Sequence, residues 1–361
     1  MTYNPQLFLS DYPGAVTGAT TSATDAAIAA LSAEAIVAAL RNAAAKTAAA
    51  QGLIYLQNSN SRVIPNLMPL GTGVNTVASS RDYSFYFGCA VYGNINTTHR
   101  FDLVSQQMSS IGSNLISTIN VQSGAVSSQI AAYIFGGGNL DSLIFSTLTI
   151  TQVSSSLPAM DQMPAGVGTD IFGLYNASLA LYKLTYGTQS NSSTGASLSS
   201  GKSGYSSAMQ SATDGYWVGG WSPNSQVNKV DLSTAVVTTL AATLTANVGA
   251  PACVSSPTDG FSVGGSTDGA NTITLVNKTD FGTEAITLSS ASLVSGAMFR
   301  QGSGSSTSGV MAGGSSSNYT PFLAVVDSLD YGTETLFRLS ATLTAAGTAI
   351  ASSSTYSPGF P

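Results

Sequence analysis

The spacing of apolar side chains changes abruptly near Gly52. Upstream of it, more than half of residues 23–50 are alanine, the strongest helix former, and Ser22 with Asp25 resembles a capping box. This segment predicts one α-helix over residues 22–51. Downstream, short runs of β-branched and aromatic residues separated by Gly, Ser, Asn and Asp predict an all-β region.

The predicted helix is apolar around most of its circumference. At 100° per residue its bulky side chains spread widely, and only Glu34 and Arg41 form a polar stripe, which is typical of a helix buried on several sides. Two interpretations stay open: packing against the β region, or anchoring through a bundle with copies of itself (a trimer being favoured) or insertion into another protein. The residues expected to carry anchoring or oligomerisation are Ile28, Leu31, Ile36, Val37 and Leu40. Residues 1–21, with their Pro, Gly and small polar side chains, predict an extended N-terminal arm.

One short motif recurs through the β region: an aromatic or aliphatic run that ends in glycine. Its six copies are FYFGC, YIFGGG, IFGLY, YWVGG, FSVGG and VMAGG, and their first glycines lie about 37 to 49 residues apart, the period of propeller blades. Glycine is expected in the second strand near the hub, where converging sheets leave little room for side chains. The glycines concerned are Gly88, Gly136, Gly137, Gly173, Gly219, Gly220, Gly264, Gly265, Gly313 and Gly314.

Other features recur in phase with these glycines. Thr-Asp-Gly at 213–215 and 258–260 predicts tight hairpins into the glycine strands. Alternating runs at 227–232, 272–280 and 322–330 predict a third strand, and Gly-Thr turns after them lead into a fourth. Each repeat is therefore a four-stranded antiparallel unit, which buries both of its faces by stacking with its neighbours in a ring.

These repeats resemble those of kelch-type β-propellers over residues 52–361. YWVGG, FSVGG and VMAGG are similar to the kelch diglycine strand, whereas the kelch tryptophan of the last strand is missing, since Trp217 and Trp221 are the only tryptophans. The run GYWVGG…NKVDL…TTLAATLTANVGAPA looks more like the propellers of fibre and adhesin proteins in tailed phages, especially cyanophages. The resemblance implies a mainly β protein with a kelch-like propeller, carried on a virion.

The two ends of the β region bear on the number of blades. The segment after Leu343 is similar to the first strand of a further blade, but no glycine strand follows it. Residues 52–70 are expected to supply the remaining strands of that blade. Joining both ends in one blade predicts seven blades, with six as the alternative. Such closure removes exposed sheet edges.

The chain has few charged residues, and this scarcity excludes some classes of function. Only 8% of residues are charged, the net charge is −6, and 11 Lys and Arg are scattered, so no nucleic-acid binding is expected. The longest uncharged stretch, residues 103–140, is too polar for a membrane span, and the N-terminus lacks the regions of a signal peptide. Cys89 and Cys253 are expected to be small buried apolar residues.

Candidate catalytic groups are few. His99 is the only histidine, which excludes the multi-histidine metal site of the kelch-type oxidases, and it is expected on the surface of an outer strand. Glu284 and Glu334 occupy equivalent turns, which favours a structural role. Asp268 lies in a Ser-Thr-Asp-Gly segment that is similar to the start of a sialidase Asp-box but lacks its continuation, so a hairpin turn is expected. No catalytic residue, metal or cofactor is predicted, and the chain is not expected to be an enzyme.

Function is therefore expected to depend on surfaces. Aromatic side chains near strand ends are candidates for stacking on sugar rings or partner proteins, with packing between blades as the alternative. These aromatics are Trp221, Tyr186, Phe281, Tyr319 and Tyr331. The leading hypothesis is a non-enzymatic phage virion protein (fibre, spike or decoration) made in the host cytoplasm. Its arm and helix bind other virion proteins, and its propeller is displayed, with host-surface glycan binding as a further expectation. The alternatives are a bacterial lectin-like or protein-interaction module and a degenerate glycan-active enzyme.

Overall fold

Twenty-four β-strands form the regular structure of the described residues, and no helix occurs among them. The computed structural model describes residues 83–90, 96–116, 124–127, 131–136, 139–154, 160–167, 170–175, 179–185, 190–199, 205–220, 222–317, 321–343 and 348–354. All of these lie within one unit, Ser80–Phe360. The predicted arm, the predicted helix with its anchoring residues Ile28, Leu31, Ile36, Val37 and Leu40, and residues 52–70 lie outside the described residues.

The strands pair into four-stranded antiparallel sheets, which we number I to VI. Sheet I contains β24 (Thr348–Ser354), β1 (Tyr83–Ala90), β2 (Thr98–Asp102) and β3 (Gln107–Ser110). Sheet II contains β4 (Gly124–Ser127), β5 (Ala131–Gly136), β6 (Asn139–Ile144) and β7 (Thr149–Ser154), and sheet III contains β8 (Met160–Val167), β9 (Asp170–Tyr175), β10 (Ala180–Thr185) and β11 (Ser190–Ser197). Sheet IV contains β12 (Ser206–Gln210), β13 (Asp214–Gly219), β14 (Asn224–Asp231) and β15 (Val237–Val248). Sheet V contains β16 (Ala252–Ser255), β17 (Asp259–Val263), β18 (Leu275–Asp280) and β19 (Ile286–Ser292), and sheet VI contains β20 (Gln301–Gly304), β21 (Ser308–Ala312), β22 (Val325–Asp330) and β23 (Thr335–Thr342).

The sheets are arranged as a β-propeller. Within each sheet the strands pair in the order given above, so that one strand lies innermost. The innermost strands contact one another in the cycle β4, β8, β12, β16, β20, β24 and back to β4. The sequence-based prediction of a mainly β propeller is therefore confirmed.

The preferred prediction of seven blades is wrong, because the two ends of the β region close the ring in a different way. Five sheets use four consecutive strands each, and sheet I combines β24 with β1 to β3. The pairing of β24 with β1 is antiparallel and runs from Ser84 opposite Ser354 to Ala90 opposite Thr348. The C-terminal segment is thus a first strand, as predicted, but it completes the sheet of the first glycine motif. The sequence predicts an additional blade for this segment because a strand pattern does not specify which strand it pairs with.

The apolar core lies between neighbouring sheets. In one cluster, Val254 and Phe261 of sheet V pack with Met311 and Leu329 of sheet VI. Cys253 is a buried free thiol in the cluster between sheets IV and V, as predicted. Because each sheet is covered on both faces, most positions of a second strand are buried, as in β13 and β17.

Candidate functional site

The diglycines lie where the second strand ends and the backbone turns left-handed. Gly264 and Gly265 have φ of +66° and +97°, and a Cβ on Gly265 would lie 2.6 Å from the carbonyl oxygen of Gly249. The pairing of β16 with β17 is interrupted at the two glycines and resumes between Gly249 and Ser266. The glycines therefore allow close approach between the second strand and the segment that enters the innermost strand.

The other predicted glycines occupy related places. Left-handed φ values also occur at Gly88 (+57°), Gly219 (+73°), Gly220 (+139°), Gly313 (+68°) and Gly314 (+98°). Gly136 is the last residue of β5. Gly173 differs, because it pairs with Tyr182 inside β9 at the position that Trp217 has in β13, and it is therefore not equivalent to Gly219. Gly137 lies outside the described residues.

A second set of left-handed residues faces the second glycine of the diglycines. Tyr205, Ala250 and Phe299 precede the innermost strands of sheets IV, V and VI and have φ of 55°, 50° and 57°. The rings of Tyr205 at sheet IV and Phe299 at sheet VI pack edge to face, with their centroids 4.9 Å apart. Sheet V lies between these two sheets and has the small residue Ala250 at the equivalent position. Non-glycine residues adopt this backbone region uncommonly. This aromatic pair is not recognisable from the sequence, since an isolated aromatic residue before a strand carries no distinctive pattern.

The predicted surface aromatics that the structure describes pack between sheets. Phe281 of sheet V stacks on Tyr216 of sheet IV at 4.9 Å, and Tyr331 of sheet VI stacks on Phe261 of sheet V at 5.2 Å. Burial raises the pKa of Tyr216 to about 12. The structure thus places Phe281 and Tyr331 in the alternative role of packing between sheets. Trp221, Tyr186 and Tyr319 lie outside the described residues.

Equivalent lysines form ion pairs that join consecutive sheets. Lys278 of sheet V lies 3.4 Å from Asp259 of its own sheet and 2.9 Å from Glu334 of sheet VI. Lys229 of sheet IV repeats the arrangement, with Glu284 of sheet V at 2.6 Å. The hydrogen bond to the glutamate raises the pKa of each lysine. Both glutamates therefore hold neighbouring sheets together, in agreement with the structural role inferred from their equivalent turns.

One register position on the third strand carries a polar or aromatic side chain in every sheet, and this side chain is buried in all of them except sheet III, where Tyr182 is half-buried. Its occupants are His99, Asp141, Tyr182, Asn228, Asn277 and Asp327. At three interfaces the side chain accepts a hydrogen bond from a backbone N–H of the preceding sheet: Asp141 from Ile116 (2.9 Å), Asn228 from Ser199 (3.1 Å) and Asn277 from Thr245 (2.9 Å). This position is a repeated polar link between sheets, and the sequence did not reveal it.

His99 corrects the expectation of a surface residue. Its side chain is 1% exposed, because the position that it shares with Asn228 and Asn277 faces the neighbouring sheet. Burial lowers the pKa of His99.

Asp327 departs from the other members of this position. Its carboxylate accepts hydrogen bonds from Arg300 Nη1 at 2.5 Å and from Arg338 Nε at 2.6 Å. Arg300 is fully buried and donates a second bond to the carbonyl of Met311. Burial lowers the pKa of Arg300, and the charge of Asp327 opposes that shift. The residue of sheet VI that is equivalent in register to the turn residue Asp231 is Asp330 and not Asp327.

Acidic turn residues accept hydrogen bonds from their own loops. The Asp231 carboxylate accepts from the backbone N–H groups of Ser233 and Thr234, which lowers its pKa to about 2 together with the Ser233 hydroxyl. Asp268 likewise accepts from the N–H groups of Ala270 and Asn271, in agreement with the hairpin turn expected there. Within the described ranges, no group of three or more His, Cys, Asp or Glu side chains is placed to hold a metal ion. A separate finding for the same residues is that no helix is long and apolar enough to span a membrane.

Comparison with protein-family models and with curated protein sequences gives no match to this chain.

Proposed function

We propose that this chain is a non-enzymatic structural protein of a phage virion, displayed as a fibre, spike or decoration. In this proposal the arm and Ala-rich helix bind other virion proteins and assemble the chain as a homo-oligomer. The propeller, with kelch-like repeats and sheet I closing it as a sixth blade, faces outward and binds glycans of the host surface.

The supporting observation is that charged side chains pair with one another within and between sheets. Lys229 and Lys278 pair with glutamates of the next sheet, and Arg300 pairs with Asp327 within sheet VI. Perturbed pKa values concentrate at catalytic sites in enzymes. Here the pKa shifts of the two lysines come mainly from their hydrogen bonds to glutamates, and that of Arg300 comes from burial, which is the expected pattern for a rigid scaffold.

Mass spectrometry of purified virions tests the proposal. The polypeptide should be found in particles of the phage whose genome encodes it, at a constant number of copies per particle. Its absence from washed particles would overturn the virion assignment. The mass of the intact chain in solution should match an oligomer, and a chain beginning at Gly52 should be monomeric, whereas monomers in both cases would overturn anchoring through the helix.

The second candidate, a bacterial lectin-like module, is favoured by the Tyr205–Phe299 pair. Two half-buried aromatic rings before the innermost strands offer a stacking surface for a sugar, whether or not the protein is part of a particle. The neighbouring genes separate the two candidates, since head or tail genes on both sides favour the virion and metabolic or secretion genes favour the bacterial module.

A further inference from the structure

The interface between sheets V and VI breaks the pattern of the polar links. The N–H groups of Leu115, Leu198, Leu293 and Leu343 all donate to a carbonyl one or two residues before the third strand of their own sheet, which fixes the equivalence of these residues. The next residue then donates its N–H to the following sheet at Ile116 and Ser199. Val294 is the equivalent residue of sheet V, and its N–H has no hydrogen-bond partner among the described residues.

The acceptor that Val294 would have used is occupied by arginines. Both oxygens of Asp327 are engaged, one by Arg300 and Arg338 together and the other by Arg338 Nε. Arg338 is 31% exposed and also donates from Nη2 to the hydroxyl of Ser295 at 3.3 Å. The Nη1 group of Arg338 has no hydrogen-bond partner among the described residues. The Arg338 guanidinium and the Ser295 hydroxyl are thus within hydrogen-bond distance of each other, and the Val294 N–H belongs to the residue that precedes Ser295.

The same cluster carries excess positive charge. Two guanidinium groups share one carboxylate, and the buried Nε of Arg300 has no hydrogen-bond partner within the described part of the chain. The nearest acidic residue along β23, Glu334, is bound by Lys278 and by the hydroxyl of Ser289. Four residues of strand separate it from Arg338, about 13 Å, which exceeds the screening length of about 8 Å at physiological salt. The cluster of Arg300, Arg338 and Asp327 thus carries a net charge of +1, with Arg338 as its partly exposed member.

We propose that Arg338, Ser295 and the Val294 N–H bind the carboxylate of an acidic sugar. A single carboxylate matches the one excess charge, and its two oxygens accept from all three donors. The side chain of Val294 is 67% exposed beside these donors and provides an apolar contact for the C–H groups of the ring. This inference rests on the glycan-binding part of the proposed function and specifies an acidic rather than a neutral sugar.

Calorimetric titration of the full chain tests the site, with methyl glucuronide as the probe and methyl glucoside as its neutral match. The glucuronide should bind more tightly than the glucoside, and the difference should shrink in 0.5 M salt. Arg338→Gln should weaken glucuronide binding by about tenfold or more, because a charged hydrogen bond is lost. The matched control is Arg100→Gln, which removes another arginine, one that lies over the Tyr83 ring.

Arg338→Gln is expected to fold, since Arg300 and Asp327 remain as a paired ion couple, and the emission of the buried Trp217 checks this. Ser295→Ala is a second variant that leaves all charges in place and should weaken binding to a smaller extent. Equal binding of glucuronide and glucoside, or unchanged binding by both variants, would overturn the site. Inorganic sulfate that competes as well as glucuronide would reduce the site to a general anion site. Glycan-array signals for neutral sugars alone would contradict this inference while leaving glycan binding intact.

Discussion

Replacing Asp327 with asparagine removes the carboxylate that neutralises a fully buried guanidinium. In the native protein, Arg300 is 1% exposed and Asp327 is 0% exposed, and their atoms are 2.5 Å apart. Asparagine keeps the shape of the side chain and one acceptor oxygen, so the main loss is the charge. The perturbation therefore isolates the electrostatic part of the contact.

The expected cost follows from the burial of Arg300. Breaking a buried ion pair by removing one partner costs about 3–5 kcal/mol, because the remaining charge stays in a poorly solvated site. Arg338 adds little to this cost, since it is partly exposed and gains solvation when it loses its partner. Domains are stable by about 5–15 kcal/mol, so Asp327→Asn should fold with a clearly reduced free energy of unfolding.

Urea unfolding followed by tryptophan fluorescence measures this cost, since the indole of Trp217 is fully buried in the folded protein. The matched control is Arg300→Met, which removes the buried charge at similar volume. In that background, Asp327→Asn should cost about 1 kcal/mol or less, giving a coupling of about 2 kcal/mol or more between the two residues. A cost below about 1 kcal/mol in the native background, or equal costs in both backgrounds, would refute the reasoning.

Three further predictions concern the contacts between sheets. Gly265→Ala should lower the free energy of unfolding by more than Gly112→Ala, because both glycines have left-handed φ but only Gly265 meets a carbonyl within 3 Å; equal losses in urea unfolding would show that the close approach is unimportant. A double-mutant cycle of Lys278→Met and Glu334→Gln should give a coupling of about 0.5–1 kcal/mol that falls in 1 M NaCl, and a coupling insensitive to salt would contradict an ion pair. The lowered pKa of buried His99 means that the unfolded state takes up a proton first as the pH falls through about 6.5. The free energy of unfolding should therefore fall from pH 7.5 to 5.5 by more in the native protein than in His99→Asn, and parallel curves would contradict the assignment.

The repeated elements were readable from sequence because local chemistry determines them. The six glycine motifs mark the second strands of the six sheets, and the Thr-Asp-Gly turns lead into β13 and β17 as expected. Ring closure was misjudged because the pattern of β24 carries no information on its pairing with Ser84 and its neighbours. His99 was misplaced for a related reason: when both faces of a sheet are covered, strand alternation no longer separates core from solvent.

The candidate sites depended on contacts that no local pattern contains. Phe281 and Tyr331 were correctly placed near turns, but whether a ring stacks on a sugar or on the next sheet depends on distances between blades. The donors at Arg338 and Val294 cannot be recognised in the sequence. They stand out only because the interface between sheets V and VI lacks the hydrogen bond that three other interfaces have.

The pairing of β24 with β1 also has a consequence for synthesis on the ribosome. Ser84 is made long before its partner Ser354, and at about 5–20 residues per second the delay is on the order of tens of seconds. During that time the open edge of β1 is a template for pairing with other nascent chains. Several ribosomes on one mRNA bring many such edges close together, which would favour misassembly. The yield of correctly closed propellers should therefore rise when translation initiation is infrequent.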